Sequence, residues 1–481
     1  MSATPEMSRP TTKDLPEGAE EAFRGPFADG PPASALHIDA PRLDQFGFGE
    51  LRRLAVIGMV VGFHLAKAIP LAVVRHQRLV TALSEALVDA FVALGPTFVK
   101  VGQMINSAPG IFPAPLADAS AKCLYKVPPM AAATVHRIII EDLGSPASQI
   151  FRSFDDEPLA AASVAQVHAC VLFDGRPAVL KVQRPDIAKR MNADLRILHF
   201  LARLASRNAK IASTNIVGVV ADLHFVTNQE LNFALEADRQ TAFRDHLHDF
   251  GDNLDITAPE VFWEVCGPRV ICMQRMHGRP MDVFALQPDA GVDPELLLRR
   301  LLKAWMEAVC VHGPFHGDIH AGNLWVLDDG RVCFLDFGIM GDLPSDWRGL
   351  FSDMFETAMI DHDFTRMARS FKAVGAVPAS AGSDEDVAAA LGPFIESVMS
   401  NTLEELSVGE SLSGGLEVFE KLGAVIPREM VLVSKQLLYF ERYSKAMAPQ
   451  YNSATDLFLG RNLFPEAIVR KASETGVVLP D

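Results

Sequence analysis

Residues 316–338, HGDIHAGNLWVLDDGRVCFLDFG, decide how the rest of the chain is read. The stretch opens as a loop that carries Asp318 and, five positions on, Asn323. Leu324 to Leu327 is a short apolar run, Asp328-Asp329-Gly330 is a tight-turn signal, and Val332 to Leu335 is a second apolar run. Two such runs around such a turn predict an antiparallel hairpin. The hairpin brings the chain back to its start and delivers Asp336-Phe337-Gly338 beside Asp318 and Asn323. Carboxylates grouped with an amide suit phosphoryl transfer. One Asp accepts a hydroxyl proton or orients a nucleophile, while the Asn and the other Asp hold Mg²⁺ on the phosphates.

The Asp-to-Asn spacing and the downstream DFG match the protein-kinase signature H-R-D-x-x-x-x-N…D-F-G. DFG alone is a weak signal. Both motifs in order, joined by a predicted hairpin, are specific, and an ordinary hairpin with acidic ends does not account for the joint spacing. One difference stands out: His320 lies two after Asp318, where protein kinases usually place lysine.

At 481 residues the chain has room for two or three domains. Hydrophobic residues at 49% and charged residues at 22% predict a globular protein with an ample core. A net charge of −16, with no basic run, argues against a nucleic-acid partner. The six cysteines are scattered in or beside apolar runs without a CxxC pair, which predicts buried free thiols in a reducing, cytoplasmic setting.

Residues 1–45 are rich in Pro, Ala, Glu, Asp and Gly without periodicity and are expected to be a disordered tail. Arg52-Arg53 then precedes Leu54 to Val74, a mostly apolar stretch close to the length a bilayer needs, interrupted by His64, Lys67 and Pro70. Three readings compete: a core or interface helix, a segment lying on a membrane surface, and a span. Leu94 to Pro113 predicts a helix with Phe98, Val101 and Ile105 on one face and Lys100 and Gln103 on another. Residues 151–185 read strand, small-residue loop, strand, Asp174-Gly175 turn, strand. The loop Ala160-Ala161-Ala162-Ser163 stands where a kinase-like lobe covers the phosphates, and Lys181 sits on an apolar strand as in V-A-I-K. One helix from Asn228 to Phe243 is predicted to carry both Glu230 and Glu236. At about 100° per residue the two point about 120° apart, so one carboxylate can meet Lys181 while the other points elsewhere. The hinge is placed at Gln274 to Gly278, which nominates Met273, Gln274 and Met276 for an adenine edge. Beyond Gly341 the chain is expected to be helical to Met447, with breaks near Gly375 to Asp384 and Ser407 to Gly415 and a peripheral last segment.

With these motifs in place the chain resembles the UbiB/AarF family of atypical protein-kinase-like proteins from about Leu94 to Asn452. The resemblance rests on Lys100-Val101-Gly102-Gln103 (KxGQ), Ala160 to His168, Lys181-Val182-Gln183-Arg184-Pro185, Glu230 to Ala237, and HGDIHAGN with DFG. It implies a bilobal, protein-kinase-like α+β fold divided as tail (1–45), helical extension (46–150), N-lobe (151–278) and C-lobe (279–481). It implies Mg²⁺-dependent ATP/ADP binding. Lys181 would meet the phosphates and pair with Glu236, Asn323 and Asp336 would hold Mg²⁺, and Asp318 would take the catalytic-base position. Lys100, Gln103 and Glu230 would reach into the cleft. The family's association with isoprenoid-quinone or other lipid biosynthesis implies a lipid or quinone precursor, biosynthetic enzymes and a membrane surface as partners. ATPase activity is the leading expectation, with a small-molecule or lipid kinase and a non-catalytic nucleotide-binding scaffold as alternatives. The oligomeric state is left open. The family's E-x-D is here Glu230-Leu231-Asn232, which would weaken an ionic tether to the Lys100 helix.

Overall fold

The apolar stretch beginning at Phe48 forms one long helix, Phe48–Val74 (α1), which runs through Pro70. The computed structural model describes residues 23–74, 78–106, 113–124, 128–208, 215–405, 407–424 and 428–480. The ends of the predicted segments at 1–22, 75–77 and 107–112 therefore lie outside the described residues. Leu79–Leu94 (α2) and Pro96–Asn106 (α3) pack with α1 and the later helix Ile187–Ala205 around Ile57, Val88, Leu94, Phe98 and Ile197. Arg53, expected to flank a membrane segment, points inward instead. Its Nε is 2.7 Å from Asp194 Oδ1, and its Nη2 donates to Leu94 O at 2.9 Å. Asp194 also accepts from Thr97 Oγ1, so one buried carboxylate ties three helices together. The outer face of α1 stays bare. Among the described residues Phe48–Pro70 is the one helix long and apolar enough to cross a membrane, and only 11% of its apolar window is buried. Of the core-or-interface reading, the interface half fits: Ile57 is buried with Leu54, Val60 and Val61 packed beside it, whereas Phe48, Met59 and Phe63 are exposed.

The sheet lobe follows. Ala132–Leu143 (α4) precedes Phe151–Ala161 (β1), Ala165–Leu172 (β2) and Pro177–Gln183 (β3), which pair antiparallel with the later strand Val270–Gln274 in the order β1-β2-β3-β5. Ala178, Leu180 and Val182 alternate into the core, and α4 covers them with Val135, Ile138 and Ile139. Residues 132–150, grouped by sequence with the extension, therefore belong with the sheet. The expected tail is also corrected over its described part. Phe27 is buried in this core, Gly25 N donates to Glu264 O at 2.8 Å, and a short helix at Ala33–Leu36 lies against the sheet lobe.

Ile187–Ala205 (α5), Ile216–Glu230 (α6) and Phe233–Leu247 (α7) come next. The single helix expected across 228–243 is two helices. The break falls at Leu231-Asn232, because Asn232 accepts from Leu235 N at 3.0 Å and starts a new helix as its N-cap.

Ile256–Thr257 (β4), Val270–Gln274 (β5) and Gly278–Pro280 (β6) lead into the helical lobe. Pro294–Glu307 (α8) buries Leu298, Leu301 and Trp305 and delivers Phe315–His316 (β7). The quoted hairpin forms as predicted, with Leu324–Leu327 (β8) antiparallel to Val332–Phe334 (β9). It extends into a second sheet, β4-β9-β8-β6, and β7 pairs with Met340–Gly341 (β10). Gly278 is needed where β6 meets β8, since a Cβ there would run into the Val326 carbonyl. Helices fill the remainder, among them Val408–Lys421 and Arg428–Met447 (α9). The break expected at Ser407 to Gly415 is instead a helix start, where Ser407 Oγ accepts from Glu410 N. The last segment is not peripheral either. Arg299 grips Asp456 at 2.7 and 2.9 Å, and Phe458 and Leu459 are buried in the helical-lobe core. The fold is the bilobal, protein-kinase-like α+β fold that the motifs predict, and all six cysteines are free and buried.

Candidate active site

The site forms where β3 of the sheet lobe faces the end of β9. Strand alternation puts Leu180 and Val182 in the core and turns Lys181 to the opposite face. There its Nζ lies 2.5 Å from Glu236 Oε1, 3.5 Å from Asp336 Oδ1, and 5.3 Å from the centre of the Phe233 ring. Glu236 is presented by the first turn of α7, which the Asn232 cap orients. Burial works to lower the Lys181 pKa, but Asp336 and Glu236 outweigh it and raise it. Burial pushes the Glu236 carboxyl up to about 7 against the pull of Lys181. Lys181 holds Asp336 below its ordinary value. Asp336 opens into the cleft and has a left-handed backbone, φ +60°.

Beneath it, the 316–323 loop is held by its own hydrogen bonds. Buried His316 joins the two ends of the motif, with Nε2 3.0 Å from Leu335 O and Nδ1 accepting from Asp318 N at 3.2 Å. Nε2 therefore carries the proton. Burial lowers the His316 pKa, which suits a neutral ring. Asn323 Nδ2 donates to Asp318 O at 2.9 Å, and Leu335 N donates to Asn323 O at 2.8 Å. Asp318, Asp336, Lys181 and Glu236 thus line one cleft, with Asn323 bound to the Asp318 backbone behind it.

From the extension, Lys100 of α3 pairs with Glu230 at the end of α6 inside the same cleft. The pair forms without an acid at 232. Asn232 instead donates to Ala35 O at 2.9 Å, so this side chain faces the N-terminal segment. Gly102 lets Cys123 pack directly on α3, where a Cβ would overlap the Cys123 sulfur, and Gln103 donates to Cys123 O at 3.1 Å.

The alanine loop is shorter than predicted. Ala160 and Ala161 remain in β1, paired with Val167 and Gln166, and the turn is Ala162-Ser163-Val164. Ala162 N donates to Ala165 O at 2.8 Å, which closes the turn, and Arg184 clamps it through Ala162 O at 3.0 Å. Ala162 and Ser163 line the cleft; Ala160 and Ala161 do not. Nor do Met273, Gln274 and Met276. Gln274 N is taken by Glu260 O and Arg275 N by Pro177 O, so these amides are committed to the sheet.

Sequence reasoning missed the contribution of α9. Gln436, fully buried, brackets Asp318. It accepts from Ile319 N at 3.0 Å and donates to Gly317 O at 2.7 Å. Lys435 places Nζ 3.5 Å from Asp318 Oδ1, and His320 Nε2 lies 3.6 Å from Asp318 Oδ2. No local signal ties residue 435 to residue 318.

The donor set fits a hard cation bound with phosphate. Asp336 and Asn323 offer oxygen ligands. Among the described residues no group of three or more His, Cys, Asp or Glu side chains is disposed to hold a metal ion alone. The cleft as it stands measures about 190 Å³. Lys100 and Gln103 of α3 form part of its wall.

A family model described as the ABC1 atypical kinase-like domain matches residues 122–371, and one described as the UbiB helical domain matches residues 391–452. An uncharacterised protein of Mycobacterium tuberculosis is 34% identical over 433 residues, covering 88% of this chain and 86% of its own length. A probable protein kinase UbiB of Aeromonas salmonicida is 33% identical over 368 residues, covering 75% of this chain and 66% of its own. A solved Mycobacterium tuberculosis protein in complex with erythromycin is similar at 22% identity and TM-score 0.44, covering 73% of this chain and 91% of that one.

Proposed function

The chain belongs to the ABC1 atypical kinase-like family and carries a UbiB helical domain, and from that premise we propose that it is an Mg²⁺-dependent ATPase supporting isoprenoid-quinone or lipid biosynthesis. The observation that carries this reading is the Lys181–Glu236–Asp336 arrangement, which joins the two lobes across one cleft. Lys181 binds the phosphates of the nucleotide and is kept charged by its two acids. Asp336 and Asn323 would hold Mg²⁺, which would supply charge neutralisation on the phosphates. Asp318 orients the acceptor and takes its proton. Lys100, tied to Glu230, keeps α3 over the cleft, where it leaves room for water or a small acceptor rather than a protein side chain.

The exposed apolar face of α1 seats this catalytic unit on a membrane surface, where such an acceptor resides.

Asp336→Asn should abolish the rise in melting temperature that Mg-ADP causes in the wild type. An undiminished rise refutes the metal-site assignment. Product analysis separates an ATPase from a lipid kinase: free phosphate with no labelled acceptor supports the first, and a phosphorylated lipid extract supports the second.

A further inference from the structure

Of the acids that line the cleft, Glu236 and Asp336 meet Lys181 and Glu230 meets Lys100, whereas the cationic neighbour of Asp318 comes from elsewhere. Lys435 of α9 approaches it to 3.5 Å, while the loop's own residue two after Asp318 is His320. We infer that Lys435, delivered by the helical domain, is a catalytic residue that accompanies the transferring phosphoryl group at Asp318. This rests on the phosphoryl-transfer reading above.

Three observations carry it. First, the structural tether of α9 to this loop is a different residue. Buried Gln436 already binds the backbone on both sides of Asp318, so Lys435 is not needed to hold the loop. Second, Lys435 is not locked onto Asp318. A charge-assisted bond closes to about 2.7–2.9 Å, and 3.5 Å is too long for that. Its side chain is 43% exposed, and an ammonium has three donors to share between Asp318 and a second oxygen. Third, the surroundings keep the lysine charged and aimed. Its Nζ lies 5.3 Å from the centre of the Tyr439 ring, and that ring packs edge-on against His320.

In the transfer, an acceptor oxygen forms a bond to the γ-phosphorus as the bond to the β-phosphate oxygen breaks. ADP leaves with that electron pair, and Asp318 takes the acceptor's proton. Lys435 neither gives nor takes a proton. Beside Asp318 it meets the negative charge on the transferring oxygens, and its effect belongs to the transition state rather than to nucleotide binding. The kinase-like core and the helical domain then share one active site, and α9 must be docked for turnover.

The experiment compares phosphate release by the full chain as wild type, Lys435→Met and Lys435→Arg. Lys435→Met should lose about 10²-fold in kcat, with the KM for ATP and the Mg-ADP-induced thermal stabilisation unchanged. Lys435→Arg, which keeps the charge, should recover part of the rate. If Lys435→Met does not melt cooperatively, Lys435→Gln is read by the same criteria. An unchanged kcat, or a defect in KM and nucleotide binding alone, overturns the inference while the proposed function stands. A wild type that turns over no ATP overturns both.

Discussion

Glu236 Oε1 lies 2.5 Å from Lys181 Nζ, the Glu236 side chain is 2% exposed, and its second oxygen, Oε2, has no hydrogen-bond partner. A carboxylate so placed depends on its lysine. Lys181→Met should therefore cost about 3 kcal/mol of stability near pH 8, where the lone carboxylate must stay charged. Near pH 6 it should cost less, because Glu236 can take a proton. The sign follows from the raised carboxyl, about 7 in the folded chain against an ordinary 4.5. A raised carboxyl contributes stability that is fully present below the ordinary value and is lost as pH rises through the folded one. Thermal melts of wild type and variant across this range check it. A deficit that does not grow with pH would show that Glu236 is not the group responsible.

Asn232 serves two partners at once, accepting from Leu235 N and donating to Ala35 O. Asn232→Asp, the residue the family pattern carries, should keep the helix cap but set an acceptor against the Ala35 carbonyl. A loss of about 1–2 kcal/mol is expected, together with faster proteolysis within residues 23–36. Unchanged cleavage there would mean that the amide is not what fastens the segment.

His168 is fully buried, with Nδ1 donating to Asp155 O at 2.8 Å and Nε2 facing Gln166 Nε2 at 2.7 Å. Gln166 is itself fixed, since its Oε1 accepts from Met130 N. The ring must therefore be neutral, and burial lowers its pKa from the ordinary 6.5. The unfolded chain binds this proton more readily, so stability is present above about pH 6.5 and is lost as pH falls toward the folded value. The slope is at most about 1.4 kcal/mol per pH unit for this ring. His168→Gln should remove part of that acid limb in melts taken at successive pH values. An identical limb would show that other buried imidazoles carry it.

Phe63 and Met59 project from α1 without being needed by the fold. The wild type should float with phospholipid vesicles, and the double variant Phe63→Asp, Met59→Asp should not, while both melt at nearly the same temperature. Extraction at alkaline pH separates the modes of attachment: release supports surface seating, and retention supports a span. A wild type that stays with the soluble fraction removes the membrane reading.

What could be read from the chain was local. Asp318, Asn323 and Asp336 belong to one hairpin whose runs and turn are adjacent in sequence, and it forms as the antiparallel pair expected. Lys181 declared itself as a charge on an apolar strand, and alternation alone turns it from the core. The small-residue loop misled because alanine is equally at home in a strand: Ala160 and Ala161 pair with β2, and only Ala162 to Val164 turn. The single helix expected over 228–243 failed at Asn232, whose capping role competes with helix continuation and has no sign in the apolar period.

The sequence by itself determined the family and the candidate ligands, because residue types and their spacing survive in a linear string. Through the family resemblance those motifs also carried the two-lobed fold. Tertiary structure alone decided which groups meet. It paired Lys100 with Glu230 across two helices and turned Arg53 inward onto Asp194. It committed the Gln274 and Arg275 amides to the sheet and set Lys435 and Gln436 against a loop 117 positions away. These contacts depend on packing between distant segments, and no periodicity along the chain records which buried faces will be pressed together.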